Sequence, residues 1–297
     1  MGSESRKKRQ KNKHKKKGNE NSQLEIYYNN VNGLISKQDS LKYILEIRKP
    51  DLVALCETKL HAKSTFDIEG YEVLKSNLKA GKEGILLAAK QGTFQTTEII
   101  FESESKQIAT FEVTYPEESL RMIVVHGPQE DSSNDEKEEF YIDLQAEIQR
   151  SIESESLMVI VGDFNAKLLD EDGEIKECKG NAKKLKEVMT KYELVNLNSK
   201  PNTEGRWTRI QRKGKDVNKS VIDYVFTDHE TQHRVGALVV DEDKLLTPYR
   251  TKKNGKEKSI IFSDHCAMTT SLTPSKMIPK PQAKNFGLSL NNSKQAP

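Results

Sequence analysis

The sequence predicts an α/β protein whose main body is a single domain: two facing mixed β-sheets flanked by helices. Three observations carry that expectation. Residues 157–161 (LMVIV) form an unbroken apolar run with β-branched members, the pattern of a strand covered on both faces. Between Tyr71 and Val125 a series of short apolar segments, at about 71–75, 84–89, 97–102, 106–115 and 120–126, is punctuated by Gly81, Gly84, Gly92 and the Pro116 region. Amphipathic stretches at helical spacing precede two buried runs: Leu41, Ile44 and Leu45 before 52–56, and Phe140, Leu144 and Ile148 before 157–161. Many strands with few helices, and no repeat at a solenoid period, are best accommodated by two sheet layers with helices outside.

In chain order, Leu24 to Tyr28 reads as a first strand leaving through the turn-rich Asn29 to Gly33. The helix that follows has Ser36 or Asp39 as candidate caps and Pro50 just past its end. After 157–161, Gly162 is expected to let the chain turn, placing Asp163 and Asn165 on one side of an extended segment. A polar loop over 168–181, a helix over 182–192 and a strand near 194–197 come next. Arg206 to Lys219 carries six Lys or Arg against one acid and reads as a basic loop, as does Arg250 to Lys258. A strand through 220–226 holds Asp223 among apolar residues, where a charge requires a partner, and 266–272 is the last strand.

The 297 residues are ample for a sizeable core. No apolar run approaches the roughly 20 residues that span a bilayer, and the first residues lack an apolar signal core, so neither membrane insertion nor secretion is expected. Cys56, Cys178 and Cys266 match no zinc spacing and are expected to be reduced core thiols. The net charge of +3 conceals an asymmetry. Removing the nine tail cations within Arg6 to Lys17, and Glu4, from 48 basic and 45 acidic residues leaves 39 against 44. The expected organisation is a disordered basic tail over 1–22, a domain over 23–273 and a disordered polar tail over 274–297. The basic run either binds polyanions, acts as a nuclear localisation signal, or merely solubilises.

Polar residues recur where apolar runs stop: Asn30, Glu57, His126, Asp163, Asn165, Asp223, Asp264 and His265. Each has an ordinary reading, as a turn residue, a cap or a satisfied loop histidine. Together they describe a site built at strand ends, with a carboxylate able to orient or deprotonate water and an amide able to hold an anionic oxygen.

The order of motifs resembles the endonuclease/exonuclease/phosphatase superfamily, and within it the apurinic-site-like endonuclease domain of non-LTR retrotransposons. The matching pieces are NVNGL (30–34), CET (56–58), HGP (126–128), GDFN (162–165), WT (207–208), IDYVF (222–226) and SDH (263–265). The resemblance implies a four-layer α/β sandwich and phosphodiester hydrolysis with Mg²⁺ or Mn²⁺. Carried over position by position, Glu57 holds the metal with Asn30 and Asp264. Asp163 orients or deprotonates the attacking water, and Asn165 positions that water and the phosphate. His265, held by Asp223, neutralises transition-state charge. A hard cation that keeps most of its waters suits such a carboxylate set. The family usually presents Tyr where this chain has His126, whose imidazole can still donate to phosphate. Asn32, often an acid in apurinic-site repair enzymes, is Asn in the retrotransposon type.

The expected function is therefore nicking of one strand of double-stranded DNA, as retrotransposon domains do to prime reverse transcription. The expected protein is nuclear and monomeric, without a membrane partner or small-molecule cofactor. Arg206, Thr208, Arg209, Arg212 and Lys213 are the candidate DNA contacts, on a loop flanking the catalytic mouth together with 250–258. The same active site in other superfamily members serves phosphatases of inositol phospholipids and poly(A)-shortening exonucleases. A decayed copy that binds nucleic acid without cutting is the third reading.

Overall fold

The computed structural model describes residues 23–61, 64, 66–76, 83–169, 178–213, 215–243, 248–253, 256–261 and 263–275. Strand β1 (Leu24–Asn30) passes through a short 3-10 turn into helix α1 (Gln38–Arg48), and the chain returns as β2 (Leu52–Cys56). Neither Ser36 nor Asp39 caps α1; Lys37 holds the N-cap without a side-chain bond. The helix ends where Lys49 turns left-handed at φ 53°, ahead of Pro50. Strands β3 (Tyr71–Lys75), β4 (Leu86–Lys90), β5 (Thr97–Glu102), β6 (Ile108–Thr114) and β7 (Ser119–His126) follow as antiparallel neighbours or sheet changes. Helix α2 (Asn134–Glu153) starts at Ser133, whose hydroxyl accepts from the Glu136 N–H at 3.1 Å, and leads to β8 (Leu157–Asp163). Helix α3 (Gly180–Lys191) and β9 (Val195–Asn196) come next.

The two basic segments expected as loops are hairpins. Strands β10 (Arg209–Lys213) and β11 (Asp216–Ser220) pair antiparallel, as do β14 (Pro248–Lys253) and β15 (Lys256–Ile261). The β10–β11 ribbon is separate from both large sheets, and β11 is exposed along most of its length, so it shows no apolar alternation by which to recognise it. Between the hairpins lie β12 (Asp223–Thr227) and β13 (Val239–Val240), and β16 (Met268–Leu272) closes the fold.

One six-stranded sheet has the order β13-β16-β1-β2-β4-β3, the other β5-β6-β7-β8-β12-β9. Each has a parallel pair near its centre, β1 with β2 and β7 with β8, and each pair is connected through a helix. Inner faces of the sheets share a core that includes Tyr28, Ala54 and Leu87 on one side and Phe111, Met122 and Val159 on the other. The outer face of the first sheet packs on α1 through Leu41, Ile44 and Leu45, and that of the second on α2 and α3 through Phe140, Leu144 and Leu185. The result is a four-layer α/β sandwich, as the sequence predicts.

Gly162 does not turn the chain. β8 continues through it to Asp163, and a Cβ there would stand 2.1 Å from the Val125 carbonyl oxygen, so glycine is required by the close approach of β7. Cys56 and Cys266 are buried free thiols, whereas Cys178 is half-exposed. Among the described residues no helix is long and apolar enough to cross a membrane. The tails at 1–22 and 276–297 lie outside the described residues. Ser275, assigned to the polar tail, bonds Glu118 Oε2 through its hydroxyl at 3.0 Å.

Candidate active site at the ends of the central strands

The parallel pairs set the site. In a parallel pair both strands end at the same rim, and here Asn30 stands opposite Cys56, one residue before Glu57, while His126 stands opposite Asp163. The antiparallel β8–β12 pair puts Asp223 opposite Asp163. His265 arrives from the other sheet, just before β16. Strand ends far apart in sequence thus meet at one rim.

Asn30 links the sheets: its Nδ2 donates to Glu57 Oε1 at 2.9 Å and to Asp163 Oδ2 at 3.0 Å. Its Oδ1 accepts from the Asn32 N–H at 3.1 Å. Glu57 has φ 49°, a left-handed conformation unusual for a side chain of its size, and Asn32, Lys59 and Asn165 share it at 42°, 52° and 47°. Glu57 Oε2 lies 3.1 Å from Lys59 Nζ, and Oε1 lies 3.3 Å from His126 Nε2. Burial alone would raise the Glu57 carboxyl, but His126, Asn30 and Lys59 hold it far below the carboxylate range. Burial opposes protonation of His126, yet Glu57 and Asp163 raise its pKa above the ordinary value.

Asp163 is 1% exposed. Burial, and then the Asp223 charge, lift its pKa above the carboxylate range against the opposing pull of His265 and His126. The Asn165 backbone N–H donates to Asp163 Oδ1 at 2.9 Å, while the Asn165 side-chain amide donates to the Gly127 carbonyl at 2.8 Å. The two side chains are therefore neighbours through a left-handed turn at Asn165, not through the extended backbone expected from their spacing. His265 Nδ1 lies 2.8 Å from Asp223 Oδ2, and its Nε2 lies 3.6 Å from Asp163 Oδ2. Burial would lower the imidazole, but Asp223 and Asp163 outweigh it and push it up to about 9.

Two expected site residues are engaged within the protein. Thr208, expected on the DNA surface, is fully buried; its Oγ1 accepts from both the Ile222 and the Asp223 N–H groups at 3.0 Å, and its carbonyl accepts from Cys266 N–H at 2.6 Å. Asp264 accepts from Arg209 Nε at 2.8 Å and Gln211 Nε2 at 3.1 Å, and these bonds, with the His265 charge, overcome burial and lower its pKa. Arg206 stands over the Trp207 ring, 5.8 Å from its centroid, with Lys219 at 5.9 Å. Arg212 and Lys213 belong to β10, but their side chains fall outside the description.

Three contributors were missed. Tyr28 donates its hydroxyl to Asp223 Oδ1 at 3.0 Å, Lys59 pairs with Glu57, and Gln211 supports Asp264. The apolar or surface settings of Tyr28 and Lys59 gave no local signal. A cleft of about 740 Å³ opens beside the rim, lined by Asn165, Lys167, Trp207, Arg209, Gln211 and Lys219 among others.

Two groups at the rim have ligand atoms within 4.8 Å of one another: Glu57, His126 and Asp163, and Asp163, Asp223 and His265. Carboxylates with an imidazole beside them, next to a cationic cleft, fit a divalent ion serving a phosphate. Fold and rim together define a nuclease or phosphatase that hydrolyses phosphoesters. The Endonuclease/Exonuclease/phosphatase family matches the chain over residues 30–265, and the chain belongs to it. It is 27% identical over 239 residues to exodeoxyribonuclease III of Haemophilus influenzae, covering 69% of this chain and 88% of that protein. Among solved structures it is similar to the endonuclease domain of TRAS1, a telomere-specific non-LTR retrotransposon, with TM-score 0.61 at 15% identity over 85% of this chain and all of that one. It is also similar to the AP endonuclease LMAP of Leishmania major, with TM-score 0.65 at 15% identity, covering 85% of this chain and 88% of that one.

Proposed function

We propose that the protein is a divalent-metal-dependent endonuclease that nicks one strand of double-stranded DNA, acting as a monomer in the nucleus. The single observation that carries the reading is the convergence on Asp163 of a carboxylate–imidazole group from each side. Glu57 would hold the ion, Mg²⁺ or Mn²⁺. When bound, that ion supplies charge neutralisation at the phosphate and a more acidic water.

Asp163 takes the proton of the attacking water; its raised pKa makes it a stronger base than an ordinary aspartate. The Asn165 N–H fixes Asp163 Oδ1, leaving Oδ2 toward His265. Protonated His265, held by Asp223, donates from Nε2 to the charge that develops on the phosphoryl oxygens. Lys167, Arg209 and Lys219, against the single acid Glu130 among the cleft residues, supply the cationic lining that a DNA backbone requires. This local charge answers the acidic balance of the body.

The test is relaxation of supercoiled plasmid with Mg²⁺, with and without chelator. Nicking that stops with chelator, and falls about 10²- to 10⁴-fold in Asp163→Ala or His265→Ala, supports the reading. The exodeoxyribonuclease relative makes digestion of linear duplex the control: if only linear DNA is degraded, the protein is an exonuclease. Activity confined to inositol phosphates would make it a phosphatase, and an inert wild type a binding protein.

A further inference from the structure

His126 occupies a position that the family resemblance assigns to a phosphate contact, and its surroundings are those of a ligand to an ion. The side chain is 8% exposed; among the described residues Nδ1 has no hydrogen-bond partner, and Nε2 faces the Glu57 carboxylate. A buried ring nitrogen without a hydrogen-bond partner is costly unless something else satisfies it. Nε2 lies 3.3 Å from Glu57 Oε1. Two donors at right angles about an ion with bonds of about 2.1 Å stand about 3 Å apart, so the pair is spaced as neighbouring ligands. Asp163 brings a third ligand atom within 4.8 Å of both. Of the oxygen ligands that the resemblance implies beside Glu57, Asp264 accepts from Arg209 and Gln211, and Asn30 Oδ1 accepts from the Asn32 N–H.

We propose that His126 is a ligand of the divalent ion, together with Glu57, and that the site therefore selects a first-row transition dication such as Mn²⁺ or Co²⁺ over Mg²⁺. Imidazole favours the borderline metals, whose affinity for nitrogen rises along the series, whereas Mg²⁺ favours oxygen and water. The proposal rests on the phosphoester-hydrolase reading of the rim, and its test reads binding and coordination separately from cleavage.

Metal-free full-length protein is titrated calorimetrically with Mg²⁺, Mn²⁺ and Co²⁺, for wild type, His126→Phe and His126→Asn. Expected are Mn²⁺ and Co²⁺ affinities about tenfold or more above Mg²⁺, a fall of about tenfold or more in both variants for Mn²⁺ and Co²⁺, and a smaller fall for Mg²⁺. Pulsed electron paramagnetic resonance of the Mn²⁺ protein should show ¹⁴N modulation that persists in His265→Gln and disappears in His126→Phe. His126→Phe removes an unsatisfied polar group, and His126→Asn checks for a variant that fails to fold. Equal losses for Mg²⁺ and Mn²⁺, or ¹⁴N modulation that survives His126→Phe, overturn the proposal. Nitrogen-coordinated Mn²⁺ without DNA cleavage would sink the nuclease reading alone, and cleavage without nitrogen coordination would sink this one alone.

Discussion

His265 Nδ1 and Asp223 Oδ2 stand 2.8 Å apart across the rim, joining the segment before β16 in one sheet to the first residue of β12 in the other. The bond fixes the ring so that Nε2 faces Asp163, and it favours the imidazolium.

The pair makes stability depend on pH. The folded pKa of about 9 exceeds the ordinary 6.5, so the contribution is full below about 6.5 and is lost as pH rises through about 9. In chelator, wild type should exceed His265→Gln by about 3 kcal/mol at pH 6 in urea unfolding, and the gap should narrow markedly by pH 10. A gap unchanged between these pH values would show that the imidazole carries no such charge.

Thr208 sets the spacing of that pair, since it holds the Asp223 N–H by its hydroxyl and the Cys266 N–H by its carbonyl. Thr208→Ser should keep both kcat and stability near wild type. Thr208→Val leaves two buried N–H groups unsatisfied and should cost about 2–4 kcal/mol in denaturant unfolding, with loss of kcat at temperatures where the chain remains folded. Equal behaviour of the Ser and Val variants would dismiss the hydroxyl.

The cleft cations should govern DNA affinity and its salt dependence. Lys167→Glu with Lys219→Glu should weaken duplex binding and reduce the slope of log K against log salt by about 2, one for each phosphate contact removed, while leaving urea stability unchanged. Filter binding across a salt series measures this, and an unchanged slope would remove the cleft from the DNA path.

The sequence made legible what is local. Apolar runs such as 52–56 and 157–161 announce buried strands, and the polar residues that end them announce a rim. What it could not show is register and direction. Asp163 lies beside His126 and Asp223 only because β7, β8 and β12 align at those residues, a relationship between distant segments. Asp264 and His265 are adjacent in the SDH motif, yet one turns to Arg209 and the other to Asp163. Thr208 looked like a surface hydroxyl because its two amide partners lie 14 and 15 residues away. The hairpins at β10–β11 and β14–β15 escaped because neither sequence shows apolar alternation.

Asn30 has a consequence for how the molecule loses function. One amide nitrogen holds a carboxylate from each layer, so the reaction centre exists only while the layers stay seated to within about an ångström. Gentle warming or dilute denaturant that lets the layers slide, with helices and strands intact, should silence turnover first. Enzymatic rate then becomes a gauge of interlayer alignment, more sensitive than circular dichroism.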